Sequence, residues 1–243
     1  MIGIFDSGSG GLSVLRALRT RAPMLDVVYF GDLKNMPYGN KNQAELLELT
    51  EGAIRILQNA GTTQIVSACN SVSASVVRVT PAMENIIEMV GPAVHAIVER
   101  GISHIAVAAT PATVESGMYQ KEFERAGIRV AMIACPELSA AIERDDLVLA
   151  QEKVDEALLQ AYESGAKTLL LACTHYPLVR EMFGQKIEII DPADAVAAEI
   201  IERCGLAGNG SLRFLITKNS DSFRNRVQQL FGVNNCIDCI EDR

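Results

Sequence analysis

Residues 167–178, KTLLLACTHYPL, constrain this chain more than any other stretch. A short apolar run bounded by turn chemistry suits a central strand of a parallel sheet, covered on both faces. The run hands Cys173, Thr174 and His175 to a turn, and Pro177 follows where the first turn of a helix tolerates proline. Cys173 is therefore expected at the C-terminal end of a strand and close to a helix N-terminus, where backbone amides favour a thiolate. Open α/β sheets place ligands and chemistry at that address.

Residues 64–74, QIVSACNSVSA, repeat the plan. A β-rich run delivers Cys69, followed by hydroxyl and amide side chains that lead into a helix. One such cysteine is usually a small core residue. Two in parallel settings, one of them followed by Thr-His, point to two α/β units facing each other across a cleft.

The rest of the chain alternates strand and helix in the manner of α/β architecture with parallel sheets. Strands are expected near 2–5, 26–30, 64–68, 86–90, 104–109, 128–133, 168–172, 186–190, 212–217 and 236–240. Helices are expected over 12–21, 42–60, 73–79, 93–99, 112–126, 137–144, 147–164, 193–204 and 220–231. A break is expected near Pro81, punctuation at Gly91-Pro92 and a linker over 206–210. Because the first unit is short, the last segment is expected to cross back and complete it. The expected organisation is a first lobe of 1–92 plus 209–243 carrying Cys69, and a second of 93–208 carrying Cys173. The fold class is α/β, two pseudo-symmetric lobes of mainly parallel sheet flanked by helices.

A net charge of −8 and the absence of a basic run argue against a nucleic-acid or anionic-membrane partner. Six cysteines in 243 residues are too sparse for a disulfide scaffold, so free thiols in a reducing compartment are expected. Nowhere is there an apolar run long enough to span a bilayer. The first residues, MIGIFDSG, enter a strand and a glycine turn without a basic leader, so a cytoplasmic location is expected.

Several further residues carry two readings. Asp6 and Ser7 open a glycine turn that either merely reverses the chain or projects both side chains into a cleft. The turn matches neither a dinucleotide fingerprint nor a phosphate loop, since Ser13 stands where GxGxxG needs glycine. Tyr38, between Pro37 and Gly39, is a packing lid or a ligand contact. His95 and His104 lack reactive neighbours and are expected to be structural. Cys135 and Cys204 suit packing, and Cys236-x-x-Cys239 has no second pair to complete a metal site, so no metal is expected. A Cys–His hydrolase would leave Cys69 without a task. A redox protein would bring Cys69 and Cys173 together as a disulfide.

Two facing thiols suit a particular reaction. A thiolate removes the proton from a carbon α to a carboxylate, the carbanion flattens, and a thiol on the other face returns a proton, inverting the centre. A free cysteine, with pKa about 8.5, is mostly thiol at neutral pH, so such a site must stabilise a thiolate. His175 is placed to help.

Phe5-Asp6-Ser7-Gly8 with the following Gly-Gly-Leu-Ser-Val, Pro37-Tyr38-Gly39, Ala68-Cys69-Asn70-Ser71 and Cys173-Thr174-His175-Tyr176-Pro177-Leu178 together resemble the glutamate racemases. The resemblance runs in order from residue 3 to at least 194. It implies a cofactor-independent racemase that interconverts L- and D-glutamate for peptidoglycan, acting as a homodimer. It further implies that Cys69 and Cys173 are the catalytic acid/bases and that Glu143 partners His175. By the same resemblance Asp6, Ser7, Tyr38, Gly39, Asn70, Ser71, Thr113, Thr174 and His175 contact the substrate, with Asp6 receiving its ammonium group. The chain departs from the pattern at Ser71, usually threonine, at Ser139-Ala140-Ala141 and at Asp191-Pro192-Ala193. A related aspartate racemase, or an amino-acid-binding protein without turnover, are the alternatives on the same fold.

Overall fold

The computed structural model describes residues 1–79, 86–233 and 235–240. Apolar runs become strands and the segments with helical spacing pack over them. In order these are β1 (Ile2–Asp6), α1 (Leu12–Arg21), β2 (Val27–Gly31), α2 (Gln43–Asn59), β3 (Gln64–Ser67), α3 (Ser73–Val79), β4 (Ile86–Ile87) and α4 (Val90–Glu99). There follow β5 (His104–Ala109), α5 (Pro111–Glu115), α6 (Met118–Arg125), β6 (Arg129–Ala134), α7 (Leu138–Glu143), α8 (Leu147–Glu163) and β7 (Thr168–Ala172). A 3-10 stretch at Tyr176–Phe183 leads to β8 (Glu188–Ile190), α9 (Ala193–Cys204), β9 (Leu212–Ile216), α10 (Asp221–Phe231) and β10 (Ile237–Cys239). Among the described residues no helix is long and apolar enough to cross a membrane.

The strands form two sheets, ordered β10-β9-β2-β1-β3-β4 and β6-β5-β7-β8, with parallel pairing throughout. The last two strands join the first sheet, so the chain does cross back. Alternate residues of each strand enter different cores. Ile4, Tyr29 and Phe214 pack beneath α1, α9 and α10, whereas Phe5, Phe30 and Leu215 pack beneath α2 and α3. Leu169 and Leu171 face α7 and α8, and Leu170 and Ala172 face α4 and α6. Burial on both faces explains why these strands read as unbroken apolar runs.

Both sheets reverse their winding direction once. In the first, β2 lies on one side of β1 and β3 on the other; in the second, β6 and β7 flank β5 in the same way. At such a reversal the connecting loops diverge and leave a crevice beyond the strand ends. Cys69 follows β3 and Cys173 follows β7, the equivalent strand of each sheet.

Three expected elements differ. The strand expected over 86–90 ends at Ile87, and Gly91-Pro92 lies in the first turn of α4 instead of preceding it. Proline needs no donor in that turn, and the Glu88 carboxylate accepts from the amides of Val90 (2.6 Å) and Gly91 (2.7 Å). The helix expected over 112–126 is two, α5 and α6, broken at Gly117 in the left-handed conformation (φ 66°). The strand expected from 186 begins at Glu188. The break expected near Pro81 lies outside the described residues.

Candidate active site

The two crevices share one cavity of about 170 Å³. Ser7, Tyr38, Gly39, Cys69, Asn70 and Ser71 line it from loops of the first sheet. Thr110, Glu143, Cys173, Thr174 and His175 line it from the second. Both cysteines are free thiols and almost fully buried, with Cys69 5% and Cys173 6% exposed. Asp6 and Thr113 lie behind the wall and do not line the cavity. Arg144 also lines the cavity, a residue no sequence signal marks.

On the Cys173 side, His175 holds its Nδ1 4.0 Å from the sulfur and its Nε2 2.8 Å from Glu143 Oε2. The same Glu143 oxygen accepts from Ser9 Oγ (2.7 Å) and from Arg226 Nη1 (3.4 Å). Burial disfavours the carboxylate, but His175, Ser9 and Arg226 outweigh it and hold Glu143 down at about 2. Burial likewise opposes a charged His175, yet its hydrogen bonds to Cys173 and Glu143 and their charges raise it well above the ordinary histidine range. Both shifts favour the imidazolium–carboxylate form of the pair. An imidazolium in this position can stabilise negative charge on the Cys173 sulfur.

The Cys69 side is built differently. Its sulfur lies 4.0 Å from Ser7 Oγ. Burial, then the nearby Asp6 and Cys173, push the Cys69 thiol up to about 12. Asp6 is wholly buried, and desolvation raises its pKa against the pull of His175 and its hydrogen bonds. Its carboxylate accepts from the Gly8 amide (2.9 Å) and the Thr174 hydroxyl (3.1 Å), tying β1 to the turn after β7. That approach requires Gly10, where a Cβ would stand 2.5 Å from Thr174 Oγ1 and 2.6 Å from His175 Nδ1.

Hydroxyls complete the wall. Ser71 and Thr110 share a hydrogen bond of 3.0 Å, and Thr110 and Thr113 one of 2.9 Å. Thr110 also caps α5, accepting from the Thr113 amide, so Thr113 supports the wall through Thr110. The Tyr38 hydroxyl donates to buried Asp32 (2.7 Å), which also accepts from Thr217 (2.8 Å). Tyr38 therefore joins both readings, a packed ring on the cavity wall.

Ser9, Asp32, Thr110, Tyr119 and Arg226 were not singled out from sequence. Thr110 carried a local signal, a threonine before proline at a strand end; Arg226, on a distant amphipathic helix, carried none. The remaining candidates stand apart. His95 pairs with Glu99 (3.4 Å) and His104 with Arg129 (2.7 Å), both at the surface. Cys135 does not line the cavity but is buried in the same core as Cys173, its carbonyl accepting from the Tyr176 hydroxyl (3.3 Å), and Cys204, Cys236 and Cys239 pack against the first core.

Comparison with known proteins agrees with this geometry. The profile of the family described as Asp/Glu/Hydantoin racemase matches residues 10–200. A glutamate racemase of Aquifex aeolicus is 32% identical over 95% of this chain and 94% of its own. The crystal structure of a Bacillus anthracis glutamate racemase superposes with a TM-score of 0.89 at 28% identity, covering 99% of this chain and 97% of that one. A Francisella tularensis glutamate racemase solved with D-glutamate gives 0.88 at 25% identity and the same coverage. The chain belongs to the aspartate/glutamate/hydantoin racemase family, among its glutamate racemases.

Proposed function

We propose that this protein interconverts L- and D-glutamate by two-base proton transfer at Cα, with Cys69 and Cys173 as the two bases and no cofactor. The observation that carries the proposal is the pair of buried thiols on one cavity, each following the equivalent strand of its sheet. In one direction the Cys173 thiolate takes the Cα proton and the C–H electron pair delocalises into the α-carboxylate. The Cys69 thiol then gives its proton to the opposite face and is left as the thiolate. The reverse direction exchanges the roles. With its pKa pushed up to about 12 by burial and by Asp6, Cys69 is poised as the acid. His175, held by Glu143, steadies the charge on Cys173.

Asn70, with the hydroxyls of Ser7, Ser71, Thr110 and Thr174 and the amides near Gly39, would bind the two carboxylates. Asp6, a buried carboxylate close to Cys69, would balance the substrate ammonium. We further propose the lobe division of 1–92 plus 209–243 and 93–208, which the pairing of β9 and β10 in the first sheet supports. On it, α9 packs its apolar face across the division onto the first core. The family resemblance further supports a homodimer supplying D-glutamate for peptidoglycan, and the sequence itself supports a cytoplasmic location.

The test is solvent-deuterium incorporation at Cα with L- and D-glutamate, without added cofactor, on wild type and on Cys69→Ser and Cys173→Ser. Exchange with inversion in wild type, and severe loss of racemisation in both variants, is expected. Exchange with aspartate and none with glutamate would overturn the substrate; tight binding without exchange would overturn catalysis.

A further inference from the structure

We propose that Tyr119 is a positioning residue that aims the Asn70 carboxamide, so that its Nδ2 donates to a carboxylate of the substrate. The proposal rests on the racemase reading and adds to it a residue from the opposite sheet.

Asn70 follows β3 of the first sheet and is 3% exposed. Its Oδ1 accepts a 2.7 Å hydrogen bond from the Tyr119 hydroxyl, while its Nδ2 is buried with no partner among the described residues. Buried donors are nearly always satisfied, so an orphaned N–H on a cavity wall points to a ligand acceptor. A carboxamide has two orientations of nearly equal shape. The wrong one sets Oδ1 against a carboxylate, lone pairs towards negative charge. The Tyr119 proton on Oδ1 selects the right one before substrate arrives. A donor at the carbonyl also polarises the amide and strengthens its N–H.

Tyr119 is built for this task. It is wholly buried, and its ring stacks on Phe123 with centroids 6.0 Å apart and planes at 21°. Burial keeps its phenol protonated far into alkali, so the donor is present at any working pH. It sits in the first turn of α6, on the second sheet, just beyond the left-handed Gly117 that separates α6 from α5. That break turns α6 onto its own axis and carries the hydroxyl to Asn70, from one sheet to the other.

The experiment compares Tyr119→Phe, Asn70→Ala and the double variant, reading kcat and KM for both enantiomers and the inhibition constant of glutarate, a dicarboxylate without a reacting Cα. Losing the preset orientation costs the fraction of competent conformers. Tyr119→Phe is expected to raise KM for L- and D-glutamate alike by about fivefold, with kcat within about twofold and glutarate weakened by the same factor. Added to Asn70→Ala it should change KM by less than about twofold, because the group it aims is gone. A fall in kcat with KM and glutarate unchanged, or effects that multiply in the double variant, would overturn the proposal. Loss of folded fraction cannot imitate the expected result, since it lowers kcat and leaves KM. Wild type inactive on glutamate would instead remove the underlying reading.

Discussion

One carboxylate oxygen organises half of the site. Glu143 Oε2 receives His175, Ser9 and Arg226 together, and three donors, two of them cationic, account for its depressed pKa. Alongside Cys173, Glu143 holds His175 in its protonated form; Glu143→Gln removes that carboxylate, and kcat should fall by about 100-fold. An unchanged kcat would take the pair out of the mechanism. Stability carries a second signature. Glu143, depressed in the folded state, contributes stability that is present above its unfolded value of about 4.3 and is lost as pH falls through about 2. His175, raised in the folded state, contributes below its unfolded value of about 6.5 and is lost as pH rises through its folded value. The difference in melting temperature between wild type and Glu143→Gln should thus be widest near pH 5–6 and narrow on both sides. A pH-independent difference measured from pH 3 to 9 would contradict this.

At the scale of elements, local chemistry explains most boundaries. Asn42 and Glu45 form a capping box on α2, Asp146 caps α8 and Ser220 caps α10. The continuous helix expected over 112–126 fails because Gly117 adopts φ 66°, which costs other residues about 1–2 kcal/mol. Spacing could not reveal this, since Val114 and Met118 keep an i, i+4 interval across the break and Tyr119 and Phe123 keep another just beyond it. Gly117→Ala should therefore destabilise by about 1–2 kcal/mol and also raise KM by misaiming Tyr119. Gly127, at the far end of α6, is equally left-handed (φ 70°) and has open space around it. Gly127→Ala should lower the urea midpoint to a similar degree and leave KM alone. Equal effects of both on KM would deny the break a functional role.

At the scale of the molecule, the returning segment braces the site. Arg19 donates to the carbonyls of Gly210 and Ser211, and Asp26 accepts from Ser211, anchoring the chain as it re-enters the first sheet. From α10, Arg226 then reaches the second sheet's α7, donating to the Ile142 carbonyl (2.9 Å) and Asp145 (3.0 Å) as well as to Ser9 and Glu143. Charge-assisted hydrogen bonds of this kind contribute about 1.5–3 kcal/mol. Arg226→Met should cost about 2 kcal/mol, lowering the melting temperature by about 4–8 °C, and should reduce kcat by freeing Glu143. Arg226→Lys keeps the charge without the planar fork and should fall between the two. A melting temperature and kcat both unchanged in Arg226→Met would show that α10 does not brace the site.

The sequence alone determined the α/β class, the parallel strands, the return of the last segment and the position of both thiols at strand ends. These follow from short-range physics: apolar runs covered on two faces, turn residues after them, and a chain whose next element is usually its neighbour. Apart from the His175–Glu143 pair that the family resemblance implied, tertiary structure alone decided which side chains meet. Ser9, Glu143 and Arg226 lie far apart in the chain and converge because β9 inserts beside β2 and brings α10 within reach of α7. Tyr119 reaches Asn70 because one glycine turns a helix. Contacts of that kind depend on the relative placement of two sheets, and no periodicity along the chain encodes it.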